Sequence, residues 1–226
     1  MTAHNGVSQL DIWDEWHSER DICNRTRSQK ELATQLASSL GSIEGKAILD
    51  VGCGQGIDSI WFANNGAKVY AFDLSSIAIG KAKRNAESAG ADVTFCCFDI
   101  RNGQLPTFEM AEFDGVFCNL SLHYFTDRIT RMLFSEIYSA TKWNGVFAFT
   151  VKSDNDPYYA LGDKIEERMY RRKGHVRHFF TVDYTHEMLC DWNILNIDET
   201  IDTYESDAPS AIISAVAKKQ SRKQLL

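Results

Sequence analysis

Three groups of residues in the 226-residue chain have the type and spacing to do chemistry. The first is Asp50 followed by the turn Gly52-Cys53-Gly54-Gln55-Gly56, with Asp73 twenty-one positions (73 − 52) after Gly52. Glycines let a ligand approach the backbone, and a helix starting at Gln55 would aim free N–H groups at an anionic or strongly polar ligand group. An acid at the end of the next strand, here Asp73, can accept both hydroxyls of a ribose. Asp50 sits where it can meet a ligand's ammonium directly or through water, or cap the turn as a buried acid. The second group is His123 and Tyr124, and the third is the basic run Arg168 to His178.

The order strand, glycine turn, helix, strand, acid points to a nucleoside-containing cofactor. The glycine spacing narrows the choice. Dinucleotide binders use Gly-x-Gly-x-x-Gly, and the third glycine here comes one residue early. The Gly-Lys-Ser/Thr ending of a triphosphate cradle is absent. At Leu49-Asp50-Val51-Gly52-Cys53-Gly54-Gln55-Gly56 the sequence closely resembles the class I S-adenosylmethionine-dependent methyltransferases, and the likeness runs from about Lys46 to Lys218. That resemblance implies S-adenosyl-L-methionine as cofactor and S-adenosyl-L-homocysteine as product. It implies that Gly52, Cys53, Gly54 and Gly56 hold the methionine end and Asp73 the ribose. Asp99 would lie near the adenine amino group, with Leu74 and Ile100 sandwiching the ring. The run Asn119-Leu120-Ser121-Leu122-His123-Tyr124-Phe125 resembles the family's segment facing the methyl group, with Asn119 among the cofactor contacts. The short chain and the Leu-His-Tyr-Phe run most resemble the compact bacterial branch typified by the tellurite-resistance methyltransferases.

Methyl transfer from a sulfonium is an in-line displacement, so holding the acceptor close and aligned can supply most of the catalysis. A thiolate, free amine or low-pKa oxygen needs no base; a neutral hydroxyl or an ammonium does. His123 is the candidate base and Tyr124 the candidate orienting group, against the plainer readings of a loop-structuring histidine and a core-rim aromatic. The basic run is expected as a solvated helix face, with Arg177 and His178, next to Phe179-Phe180, as candidate ligands for an anionic acceptor. Trp16 joins the candidate acceptor contacts if its helix closes over the cofactor; the alternative is packing on the sheet edge.

These residues require a scaffold. Apolar runs at 47–51, 68–72, 93–98, 113–118 and 146–151 alternate with helical patterns at 77–88 and 128–141, and runs at 194–201 and 211–217 follow. The expectation is an α/β fold, Rossmann-like, with a seven-stranded, doubly wound, mostly parallel sheet, a C-terminal antiparallel hairpin and helices on both faces. Residues 1–45 are expected to form a helical lid or cap, 46–218 the cofactor-binding core with an irregular acceptor-binding insertion near 153–180, and 219–226 a flexible tail.

Composition sets bounds. A chain 44% apolar and 12% aromatic can build one core, burying ~70% of its unfolded surface. A net charge of −7 argues against nucleic acid as partner, as does the lack of an Asn/Asp-Pro-Pro-Tyr signature. The six cysteines show no C-x-x-C pair and are expected to be reduced, mostly buried thiols, with no metal implied. No apolar run reaches membrane length, and a cytoplasmic enzyme acting on a small molecule is the expectation. Its alternatives are a peptide or protein acceptor, an NAD-dependent oxidoreductase, and a non-catalytic S-adenosylmethionine-binding module. Oligomeric state is not legible.

Overall fold

A β-strand from Ala47 to Val51 (β1), every residue of it buried, lies between two parallel neighbours. The computed structural model describes residues 8–22, 24–110, 112–203 and 209–220. The expectations for the extreme N-terminus (1–7), for the thiol of Cys23, for part of the hairpin connection (204–208) and for the distal tail (221–226) lie outside the described residues. In chain order, α1 (Gln9–Glu19) and α2 (Arg27–Leu40) precede β1, followed by α3 (Ile57–Asn64), β2 (Lys68–Asp73), α4 (Ser76–Ala89), β3 (Val93–Cys97) and β4 (Phe113–Asn119). A short 3-10 turn (Leu122–Tyr124), α5 (Asp127–Ala140) and β5 (Thr141–Lys152) come next. Strands β6 (Asp163–Glu166), β7 (Met169–Arg172) and β8 (His175–His178), helix α6 (Val182–Met188), β9 (Trp192–Thr203) and β10 (Pro209–Lys219) complete the chain.

The main sheet has seven strands in the order β3-β2-β1-β4-β5-β10-β9, with β10 antiparallel to both neighbours. It is the expected architecture. Alternation along β1 divides the core between two faces: Leu49 and Val51 pack with Leu133, Phe134 and Ile137 of α5, whereas Ile48 packs with Leu32 and Leu36 of α2 and Phe62 of α3. The stripe of α2 is set by its capping box, in which the Thr26 hydroxyl accepts from Gln29 N and the Gln29 amide oxygen from Thr26 N. Gly41, at φ +78°, ends it.

The structure corrects the sequence in several places. Residues 153–162 are turns as expected, but 163–178 is not irregular and 168–178 is not a helix: β6, β7 and β8 form a separate antiparallel sheet. Lys173 and Gly174, at φ +49° and +80°, turn β7 into β8, the backbone sign of a type I′ hairpin. Helix α6, opened by the Thr181 hydroxyl accepting from Tyr184 N, has no counterpart in the sequence reading. The expected turn at Asn144-Gly145 is a bulge inside β5, where the pairing with β4 shifts between Phe113 and Gly115. The cysteines are free, but Cys97 and Cys190 are exposed and among the described ones only Cys118 is buried. No helix among the described residues is long and apolar enough to cross a membrane.

The tail also begins later than expected, because Lys218 and Lys219 belong to β10. Lys219 is buried, and its Nζ donates to Tyr138 O at 2.6 Å and Thr141 O at 2.7 Å while lying 4.4 Å from the Tyr138 ring centre. Lys219→Ala strands two carbonyls, and we expect a loss of roughly 2–3 kcal/mol in urea unfolding. A loss below about 0.5 kcal/mol, the usual size of a surface effect, would instead assign Lys219 to the tail.

Candidate active site

The glycine turn between β1 and α3 spends its own donors. Gly52 N and Cys53 N both donate to Phe72 O at 2.9 Å, Gly54 N donates to Asp73 Oδ2 at 2.9 Å, and Gly56 N to Cys53 O at 2.9 Å. All three glycines have positive φ, but a Cβ would mean different things at each. On Gly52 it would meet Ser121 Cβ at 2.5 Å, and on Gly56 it would meet Phe95 and Ala82 at 2.9 and 3.0 Å, so those two glycines serve packing. At Gly54 the nearest atom is Cε1 of His17 from α1, at 3.4 Å. Gly54 therefore leaves the open face.

Acids surround this turn. Asp50 is 2% exposed, and its Oδ2 accepts from Ser59 Oγ at 2.5 Å. Burial first, and the neighbouring Asp58 second, push its carboxyl up to about 8. Asp58 has a cation, Arg25 Nε at 2.6 Å. Asp73 Oδ1 accepts from Ser75 N at 2.9 Å; burial raises its pKa, while the N–H groups of Ser75 and Gly54 pull the other way. The turn thus presents acceptors and negative charge, which suits the cationic end of a ligand. The expectation of free N–H groups for an anion does not hold at these four residues, and a pyrophosphate is ill suited to the place.

At the far end of β2, Leu74 is partly exposed and Ile100 is buried in the core. The Asp99 carboxylate is gripped by Arg101, with Nε to Oδ2 at 2.8 Å and Nη2 to Oδ2 at 2.6 Å. Those bonds hold it below the usual carboxylate range. Arg101 was not picked out from sequence, since a lone arginine in a polar loop carries no pattern. Cys97, paired in register with Asp73, donates its Sγ–H to Leu74 O.

After β4, Asn119 Oδ1 accepts from Thr150 Oγ1 at 2.5 Å, and the 3-10 turn buries His123 completely. Neither ring nitrogen of His123 has a protein partner. Burial, then the charges of Lys152, Arg177 and His178, hold its pKa well below the ordinary imidazole value, so the ring is neutral at pH 7. Tyr124 packs 4.2 Å from His123, centre to centre, with its hydroxyl interacting with Arg177. Phe179 N donates to Arg168 O, in the β6–β7 turn of the smaller sheet, at 2.8 Å, and Phe180 N donates to Lys152 O at 2.8 Å, which ties the end of β8 to the end of β5. That seam brings Arg177 and His178 to His123. Arg177 Nε and His178 Nδ1 are buried without protein partners, as are Arg168 Nε and His175 Nδ1. Burial lowers His178 to about 4.

Helix α1 roofs this arrangement. Trp13, not Trp16, reaches Tyr124 at 5.0 Å and His175 at 5.5 Å between ring centres. Trp16 packs instead on His17 at 4.7 Å, beneath the Arg20 guanidinium. Gln55, from within the glycine turn, is 2% exposed and hydrogen-bonded to the segment after α1. Gln55, His17 and Trp13 were missed, because nothing in the sequence fixes where α1 crosses the sheet. No cluster of three or more His, Cys, Asp or Glu able to hold a metal occurs among the described residues.

Comparison with known proteins shows what this stretch of the chain resembles. Residues 48–145 match the family model described as a methyltransferase domain. Over that stretch, less than half of its length, the chain is similar to methyltransferase domains, and its fold is that of S-adenosylmethionine-dependent methyltransferases. A ubiquinone biosynthesis O-methyltransferase of Coxiella burnetii is 35% identical over 86 residues, 38% of this chain and 36% of that protein. The chain's match therefore spans little more than a third of the length of that curated relative. TehB from Haemophilus influenzae superposes with a TM-score of 0.70 at 15% identity, covering 92% of this chain and 67% of that one. The Burkholderia thailandensis 1,6-didemethyltoxoflavin-N1-methyltransferase, solved with 1,6-didemethyltoxoflavin and S-adenosylhomocysteine, gives 0.71 at 19% identity, covering 97% and 94%. The methyltransferase match ends at residue 145, so the β6–β8 sheet with Arg177 and His178 lies outside the matched stretch.

The position of Asp50 makes this domain pH-sensitive in a stated direction. Its folded pKa of about 8 lies above the unfolded value of about 3.9. The fold holds the extra proton between those values, so stability falls as pH rises from about 4 to about 8. Urea titrations of unliganded wild type and Asp50→Asn at pH 5 and pH 8.5 should show a steeper loss in wild type. Equal slopes would mean that Asp50 ionises freely in the fold.

Proposed function

We propose that this methyltransferase domain binds S-adenosylmethionine and methylates a small anionic acceptor by in-line displacement. One observation carries the reading of the acceptor: Arg177 and His178 lie close to His123, and the three side chains hold four buried nitrogen atoms without a protein hydrogen-bond partner. Unsatisfied buried polar atoms are costly; the Arg177 Nε–H and the one N–H of the neutral His123 ring are donors, and an anionic oxygen or sulfur is the ligand chemistry that would meet them. The small-molecule names of the ubiquinone and toxoflavin relatives support that class of acceptor, and a net charge of −7 disfavours nucleic acid.

The cofactor supplies an electrophilic methyl on a sulfonium. The acceptor-rich turn fits the rest of it: Asp50 and the open face at Gly54 for the methionine end, Asp73 for the ribose, and Leu74, Ile100 and Asp99 for the adenine, with Asn119 nearby. Arg177 and His178 would bind the acceptor's charge and Tyr124 would orient it. His123, neutral and buried, would take a proton only from acceptors that arrive with one; an anionic acceptor raises its basicity by cancelling the surrounding positive charge. Water exclusion under α1 would strengthen each of these interactions. The cytoplasm, where thiols stay reduced, is the compartment we assign.

Calorimetric titration of S-adenosylhomocysteine, with NAD as control, tests the cofactor. Micromolar binding to wild type should weaken at least about tenfold, or 1.4 kcal/mol, in Asp73→Ala; binding of NAD in place of the homocysteine nucleoside would end the methyltransferase reading. Radiolabelled methyl transfer to a panel of carboxylates, thiolates and oxyanions then tests the acceptor. With the acceptor so found, Arg177→Ala should raise KM about tenfold or more, as for a lost charge-assisted bond, whereas His123→Ala should lose turnover only with an acceptor that arrives protonated and should keep affinity for the nucleoside in either case. An unchanged KM in Arg177→Ala would remove the anion pocket from the mechanism.

A further inference from the structure

Helix α1 is fastened to each part of the site by a different group. Gln9 Nε2 donates to Gly174 O of the β7–β8 turn at 2.8 Å. The Gln55 side chain accepts from Ile22 N at 2.9 Å and donates to Arg20 O at 2.7 Å, which ties the exit of the helix to the glycine turn. Between these, Asp14 Oδ1 accepts from Ser75 Oγ at 2.5 Å. The same Ser75 hydroxyl accepts from Ala78 N at 3.0 Å to cap α4, and Ser75 N donates to Asp73 Oδ1 at 2.9 Å. Its single hydroxyl proton is therefore directed at α1. Asp14 and Asp73, the candidate ribose acid, hang on one residue, and the charge of Asp14 works against ionisation of Asp73. Two carboxylates held side by side repel, a cost that a contact serving packing alone would avoid. Ribose hydroxyls and a cationic ligand would relieve it.

We propose that Asp14 is a positioning residue of the cofactor site, acting through Ser75 to hold α1 down over the bound cofactor. The inference rests on the S-adenosylmethionine reading above. With the latch closed, His17 lies on Gly54 and Trp13 on Tyr124, so a nucleoside held by Asp73 leaves only after α1 lifts. Breaking the latch should speed departure more than it slows entry.

The test uses the full chain and S-adenosylhomocysteine, with dissociation followed by stopped-flow tryptophan fluorescence. Asp14→Ala should release the nucleoside at least about tenfold faster, whereas Asp14→Asn, whose amide oxygen still accepts from Ser75, should stay within about threefold of wild type. In wild type, hydrogen exchange over residues 9–19 should slow when the nucleoside saturates the protein. An unchanged rate in Asp14→Ala, an equal acceleration in Asp14→Asn, or exchange indifferent to the nucleoside would each overturn the latch and leave the cofactor reading standing. A wild type that does not bind S-adenosylhomocysteine would overturn both.

Discussion

The site depends on what one carboxylate does with its two oxygens. Asp73 takes Gly54 N on one and Ser75 N on the other, so the end of β2 pins the turn that follows β1 and the residue that caps α4. Two crossover connections are thereby set against each other at the carboxyl ends of adjacent parallel strands, where α/β sheets place their ligands. The arrangement brings anionic and acceptor groups together with few cations to offset them. Arg25 answers Asp58, but the buried Asp50 beside it is left with a serine hydroxyl.

Much of this was legible before any coordinates. The alternation of apolar runs with helical stripes specifies a parallel sheet because each β1-type strand is covered on both faces, and the seven-stranded, mostly parallel sheet and the terminal hairpin came out as expected. The joining of the glycine turn to Asp73 was readable because it depends on local spacing: a turn, a helix and an acid in sequence order. The acceptor end was readable only in part. His123 and Tyr124 follow β4 directly, but Arg177 and His178 reach them through a hairpin whose charge density looks like a solvated helix. The Lys173-Gly174 pair was the available signal, and strand pairing that buries one face overrode the helical appearance of Arg168 to Arg172.

The misreadings share a cause. Trp13 and Trp16 are three apart on one helix, and only the crossing angle of α1 decides which meets Tyr124. Lys219 looks like tail because lysines are seldom buried, yet two carbonyls at the junction of α5 and β5 make a cation there favourable. Gln55 looks like a helix residue and is a fastening for α1. Such roles depend on partners distant in sequence, and periodicity is blind to them.

The division of charge along the cleft bears on how products are released. Acids gather where the cofactor's ammonium and sulfonium would lie, and imidazole and guanidinium nitrogens gather where the acceptor would lie. Passing a methyl from a sulfonium to an anion cancels one positive and one negative charge, leaving a neutral thioether and an acceptor one unit less negative. Each half of the cleft then faces a ligand that no longer answers its field. On the proposed reading, the Arg177 guanidinium and the acids of the turn that remain charged would, without any movement of their own, hold the products less tightly than the reactants.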